Sequence, residues 1–199
     1  DEKGQLVDGD FVMAICAADL KSRGKLMHNA VVGTVMSNMG FIQFCEDNGM
    51  RFEAAKVGDR YVLETMRQNG YNFGGEQSGH VIFLDFGTTG DGQLTGAHLL
   101  SLLHRREAKL SSLATLMTRF PQVLINVQVT NEGKLRFYTN RKIKESINSA
   151  QNCLGRKGRI LVRPSGTEPL LRVMVEGENE QEIRELAEEV AGVIREQLL

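Results

Sequence analysis

Residues 159–176 run Arg-Ile-Leu-Val-Arg-Pro-Ser-Gly-Thr-Glu-Pro-Leu-Leu-Arg-Val-Met-Val-Glu. Two short apolar runs flank a segment punctuated by Pro164, Gly166 and Pro169. Such runs bounded by turn residues read as strands, so residues 159–163 and 170–176 are predicted to form a strand pair with a loop projecting from one sheet end. Working outward, 123–129 alternates like a strand, and 140–154 has helical spacing with Gly155 as its stop. Residues 180–199 place Ile183, Leu186, Val190 and Ile194 on one helical face. The order β-α-β-β-α predicts a small α+β sandwich over 123–199, with its helices on one face of a sheet.

Upstream, strand-like and helical segments alternate, which predicts a layered α/β domain over 1–118. Asp8-Gly9-Asp10 opens a helix to about Lys21, with Gly24 as a stop. Residues 29–35, 51–56 and 81–85 read as strands; 38–48, 93–106 and 111–117 read as helices. Asp59 is expected to cap a helix that runs to Asn69 and ends at Gly70. Arg119-Phe120-Pro121 marks a linker over 119–122, since proline and its predecessor both resist helix.

Composition narrows the function. Lys and Arg (24) nearly cancel Asp and Glu (25), and the net charge of −1 disfavours a nucleic-acid-coating surface. No apolar run approaches the ~20 residues that span a bilayer. Cys16, Cys45 and Cys153 are widely spaced, which suggests free thiols in a reducing, cytoplasmic setting. The start, Asp1-Glu2-Lys3-Gly4, looks like a cut through a longer polypeptide. Asp85 and Asp91 have no clustered partner, and His28, His98 and His104 lack ligand spacing, so no metal site is visible.

Two loops carry candidate chemistry. In Arg163-Pro164-Ser165-Gly166-Thr167-Glu168-Pro169, a guanidinium fork, two hydroxyls and a turning backbone suit a phosphate monoester. The same run also reads as a proline-punctuated turn capped by Ser and Thr. In Gly74-Gly75-Glu76-Gln77-Ser78-Gly79-His80, Glu76 and Ser78 suit vicinal sugar hydroxyls, and Gly79 allows close approach. His80, read as opening a strand, carries an imidazole suited to acid–base chemistry. A solvated glycine-rich turn is the alternative. Lys56, Asp59 and Arg60 sit in the turn Lys56-Val57-Gly58-Asp59-Arg60, which reads as an anion-welcoming helix start or as a cap with surface charge.

Taken together, these loops resemble the α-D-phosphohexomutase family: the Glu76 loop its third-domain sugar loop, the Arg163 loop its fourth-domain phosphate loop. The wording is closest to the branch acting on glucosamine phosphates. The resemblance implies Glu76, Ser78, Gly79, Lys56, Asp59 and Arg60 as substrate-binding residues, and Arg163, Ser165, Gly166 and Thr167 as phosphate-binding. It implies a possible proton-transfer role for His80. It further implies an enzyme phosphoserine, Mg2+ in the full-length enzyme and glucosamine 1,6-bisphosphate as intermediate. The phosphoserine loop and the Asp-Gly-Asp-x-Asp-Arg metal loop of the family are absent here. The implied partners are a hexosamine phosphate and the missing N-terminal domains, with no nucleic acid and no membrane, and the chain alone is expected to be inactive. A phosphomannomutase or phosphoglucomutase fragment, a non-catalytic phosphosugar-binding module and an α+β interaction domain are the competing readings.

Overall fold

The computed structural model describes residues 1–199. The chain divides into two compact units, Asp1–Arg119 and Phe120–Leu199. In the first, β1 (Ala30–Thr34) is buried along its whole length, as a central strand covered on both faces must be. It pairs in parallel with β2 (Arg51–Ala55) and with β3 (Phe73–Gly75). The edge strand β4 (Val81–Phe83) runs antiparallel to β3, giving the order β2-β1-β3-β4.

Alternation along these strands sorts side chains into two cores. Val31, Phe73, Val81 and Phe83 join Met13 and Ala17 of α1 (Gly9–Ser22) and Phe41 of α2 (Met39–Asp47). Ala30, Val32 and Ile82 turn the other way, onto Val62 and Met66 of α3 (Asp59–Asn69). The helix α4 (Gly92–Arg106) adds Leu94 to the first core, and Asp91 caps it by accepting from the Gln93 and Leu94 amides. A short α5 (Leu110–Leu113) follows.

In the second unit β5 (Gln122–Gln128), β6 (Gly158–Pro164) and β7 (Leu170–Gly177) form an antiparallel sheet with β7 in the centre. Val123, Val127, Leu171, Val173 and Val175 face Ile143 and Leu154 of α7 (Arg141–Leu154) and Ile183, Val190 and Ile194 of α8 (Glu180–Leu198). The opposite face carries the cross-strand rows Gln122–Glu176–Arg159, Leu124–Met174–Leu161 and Asn126–Arg172–Arg163. Fully buried Glu176 is held by Arg159 Nε at 2.7 Å and Gln122 Nε2 at 2.9 Å, which satisfies a carboxylate that could not otherwise leave water.

Several sequence expectations need correction. Gly74 and Gly75, read as part of a glycine-rich loop, belong to β3. The strand read over 81–85 ends at Phe83, so His80 precedes it and does not open it. Asp59 is not a cap: Gly58 holds that position with no side-chain bond, and Asp59 Oδ1 accepts only the neighbouring Arg60 amide. The helix read over 111–117 is the single turn of α5. An extra helix, α6 (Asn131–Phe137), precedes α7, so the second unit runs β-α-α-β-β-α. Phe137 and Tyr138 lie at its end. Strand β5 begins at Gln122, inside the span read as linker.

Cys16 and Cys45 are buried and Cys153 is exposed. Burial pushes the first two thiols up to about 12 from an ordinary 9.0, with the charge of Asp19 adding at Cys16 and that of Asp10 at Cys45. Between those values the unfolded chain gives up thiol protons that the native chain keeps. Stability therefore falls as pH rises through that window. Replacing both buried cysteines with Ala is expected to flatten the alkaline loss of stability in denaturant titrations. In native protein, alkylation should modify Cys153 alone.

Candidate functional site

The loop from Glu76 to His80 is a tight turn closed on itself. The Glu76 amide donates to the His80 carbonyl at 2.9 Å, and the Gly79 amide to the Glu76 carbonyl at 2.9 Å. Three glycine amides from distant parts of the chain then pin it. Gly9 N–H, at the start of α1, donates to the Gln77 carbonyl at 3.0 Å. Gly58 N–H, from the β2–α3 turn, donates to Glu76 Oε1 at 3.0 Å. Gly90 N–H, in the approach to α4, donates to His80 Nε2 at 3.2 Å. Glu76 and His80 are half-buried, while Ser78 and Gly79 are exposed at the apex.

The Gly9 contact is close because residue 9 has no side chain. A Cβ there would lie 2.4 Å from the Glu76 carbonyl, 2.6 Å from that of Gln77 and 2.7 Å from the Gly79 nitrogen. Those are backbone atoms, which have no rotamer to yield. The local sequence supports the approach: Asp8 caps α1 through the Asp10 and Phe11 amides, and Arg119 Nη1 lies 3.3 Å from Asp8 Oδ2.

The β2–α3 turn brings its own candidates beside this loop. Asp59 Oδ2 is 3.7 Å from His80 Nε2. The Lys56 ammonium sits 5.8 Å over the Tyr61 ring. Arg60 is turned along its own helix, where Nε meets Glu64 Oε1 at 2.8 Å. The structure thus groups Glu76, Asp59 and His80 around Gly58 and leaves Arg60 engaged elsewhere.

In the second unit, residues 165–169 join β6 to β7. Ser165 N–H donates to the Leu170 carbonyl at 2.9 Å, and Glu168 N–H to Ser165 Oγ at 3.2 Å. Lys134 of α6 donates from Nζ to the Ser165 carbonyl at 2.7 Å. Gly166 and Thr167 are exposed. Arg163 stands directly across from Arg172 in the ladder. Burial first, and then the Arg172 charge, lowers the Arg163 pKa from its ordinary value. The Nε atoms of both guanidinia are buried without a partner, while Arg172 Nη2 reaches Glu168 Oε2 at 2.7 Å. Two like charges side by side form a local positive field suited to an anion.

No group of three or more His, Cys, Asp or Glu side chains is placed to hold a metal ion. The acidic candidates are engaged in the fold. Asp85 accepts from Asn72 Nδ2 at 2.7 Å, Asp91 caps α4, and Asp10 accepts the Asn38 amide at 2.8 Å. No helix is long and apolar enough to cross a membrane.

Residues 8–120 match the family model for phosphoglucomutase/phosphomannomutase alpha/beta/alpha domain III, and residues 124–193 match that of the C-terminal domain. The chain belongs to the phosphoglucomutase/phosphomannomutase family. It is 53% identical over its whole length to the phosphoglucosamine mutase of Caldanaerobacter subterraneus and 52% identical to that of Alkaliphilus oremlandii. It spans 44% of the length of each of these relatives. Among solved structures, an Aspergillus fumigatus N-acetylphosphoglucosamine mutase superposes over 96% of the chain, and 44% of its own, with a TM-score of 0.81 at 20% identity. A Burkholderia thailandensis phosphoglucomutase/phosphomannomutase family protein covers 100% of the chain, and 44% of its own, with a TM-score of 0.77 at 19% identity. At such identities these likenesses speak to the fold alone.

Sequence reasoning missed Gly9, Gly58 and Gly90 as pins of the 76–80 turn, and Lys134 and Arg172 as neighbours of the 165–169 loop. The strand bounds read from sequence do not give Arg172 as the partner of Arg163: the Ser165 amide bonds the Leu170 carbonyl, so the turn is 166–169 and the register places 172 opposite 163. Replacing Gly9 with Ala is expected to cost about 1–3 kcal/mol of unfolding free energy and to shift the amide NMR signals of residues 76–80. A loop spectrum identical to wild type would show that this contact does not hold the loop.

Proposed function

We propose that the chain is the sugar- and phosphate-gripping part of a phosphoglucosamine mutase, which interconverts glucosamine 6-phosphate and glucosamine 1-phosphate through a bisphosphorylated sugar. The observation that carries this reading is the pair of loops itself. One presents a half-buried carboxylate fixed by a main-chain amide; the other presents paired guanidinia with unpartnered Nε atoms. The likeness of the whole chain to phosphoglucosamine mutases supports the choice of sugar.

Each residue then has a definite task. Glu76 gives one oxygen to Gly58 and keeps its remaining lone pairs for vicinal ring hydroxyls, which Ser78 and Gly79 approach from the apex. Arg163, the Ser165 hydroxyl, the Gly166 amide and Thr167 hold the phosphate that is not reacting. Arg172 adds its charge and draws the Glu168 carboxylate toward itself. A fixed phosphate anchor suits a mutase, because either phosphate of the intermediate can occupy it after the sugar turns round. Chemistry of this kind depends on positioning and charge stabilisation. His80 serves proton transfer, and Lys56 and Asp59 flank the ring. The phosphoserine that donates and receives the phosphoryl group belongs to the rest of the polypeptide.

A solved Aspergillus fumigatus relative is a complex with GlcNAc-6P and magnesium, and another is a complex with glucose 1,6-bisphosphate. The carboxylates of this chain do not form a set for magnesium, so none of these steps is assigned to a metal here. A cytoplasmic location accords with three free thiols.

By calorimetry the chain is expected to bind glucosamine 6-phosphate weakly and to turn nothing over, while one polypeptide that restores the preceding domains isomerises it. Arg163→Ala should weaken binding by about 10- to 100-fold, the worth of one charge-assisted hydrogen bond. In the longer polypeptide it should raise KM and lower kcat together. Stronger binding of glucose or mannose 6-phosphate would reassign the sugar, and unaltered affinity in the Arg163 variant would remove the anchor.

A further inference from the structure

The His80 ring has two partners that require opposite protonation states. Gly90 N–H donates to Nε2 at 3.2 Å. A nitrogen that accepts an N–H carries its lone pair there, so the proton of the neutral ring sits on Nδ1. The same Nε2 lies 3.7 Å from Asp59 Oδ2. A carboxylate attracts that nitrogen only when it bears a proton. The amide approaches so closely because residue 90 is glycine: a Cβ there would lie 2.4 Å from Nε2 and 2.5 Å from both Cδ2 and Cε1.

The other charged groups on the surrounding elements are occupied. Arg60 beside Asp59 is paired with Glu64. Glu76, on the ring's own loop, takes the Gly58 amide. Asp91, next to Gly90, accepts the Gln93 and Leu94 amides. Lys56 lies over Tyr61. Among them only Asp59 lies within ion-pair distance of the ring.

We propose that Gly90 is a positioning residue that holds His80 as the Nδ1–H tautomer with Nε2 bare, and that Asp59 takes over Nε2 once it is protonated. The ring at rest is a proton acceptor at Nε2. On gaining a proton it exchanges the Gly90 amide for the Asp59 carboxylate, the amide being left to solvent. This deepens the proposed role of loop 76–80 and gives His80 its direction of proton transfer.

The test is long-range proton–nitrogen NMR on the 15N-histidine-labelled chain without ligand, with the His80 signals assigned by their loss in His80→Asn. Above the ring's titration, Nε2 is expected to resonate as a bare nitrogen and Nδ1 as a protonated one, the reverse of the tautomer favoured by free histidine. On acidification the Gly90 amide signal should move with the His80 ring through one shared midpoint. Asp59→Asn should leave the neutral tautomer intact and move that midpoint to lower pH. Gly90→Ala should displace the ring and abolish the tautomer preference. A protonated Nε2 in the neutral wild-type ring would overturn the proposal, as would a Gly90 amide indifferent to the titration or an Asp59→Asn midpoint equal to wild type. No sugar is present in these spectra, so their outcome is separate from whether the chain grips a hexosamine phosphate.

Discussion

The contact of the α1 amide at Gly9 with the carbonyl of Gln77 is the constraint from which the first unit's loop geometry follows. A five-residue turn has too little apolar surface to order itself, and fixing each backbone residue costs on the order of 1–2 kcal/mol. Here the order comes from outside. One amide grips the floor of the turn, a second grips its acidic side chain and a third its imidazole; the first two donors belong to a helix start or its cap, and the third, Gly90, directly precedes the cap of α4. The apex is left exposed between fixed ends, so a ligand would meet a surface that needs little rearrangement.

The second unit solves a different problem. Arg163 and Arg172 stand opposite each other, and like charges across a ladder are unfavourable. Two features make the pairing tolerable. Glu168 supplies a carboxylate at 2.7 Å from Arg172, and Arg163 remains partly open to water. The arrangement stores an unmet demand for negative charge beside a loop whose hydroxyl and amide groups are otherwise satisfied or exposed. A phosphate would relieve that demand at its source, which is what the proposed anchor role of the loop rests on.

Much of this was legible in the chain. The strand pair around residues 163–169 and the helices over 140–154 and 180–198 follow from apolar periodicity, which reports burial directly. Strand β3 was hidden because Gly74 and Gly75 give no periodic signal; its pairing comes from β1, which lies far away in sequence, and from the three-residue β4 across the 76–80 turn. Helix α6 was hidden for a related reason: Gly133 interrupts a short segment that depends on the Thr130 cap and on α8. Asp59 looked like a cap because residue type at a helix start was read without knowing where its side chain turned. The three pinning glycines were invisible as such, since what they supply is a main-chain amide and the absence of a side chain. Those properties acquire meaning only when the partner is in place.

Helix α6 deserves a mechanical reading. Within four residues it reaches two places: Lys134 holds the Ser165 carbonyl, and Arg136 Nη2 holds the Gln197 carbonyl at 3.1 Å in the last turn of α8. It is a strut between a helix terminus and a loop. A trans peptide points its N–H away from its C=O, so tethering the Ser165 oxygen toward α6 aims the Gly166 amide outward on the other side. Fraying at the end of α8 would slacken the strut, and the direction of a single amide dipole would be the part of the molecule to register it.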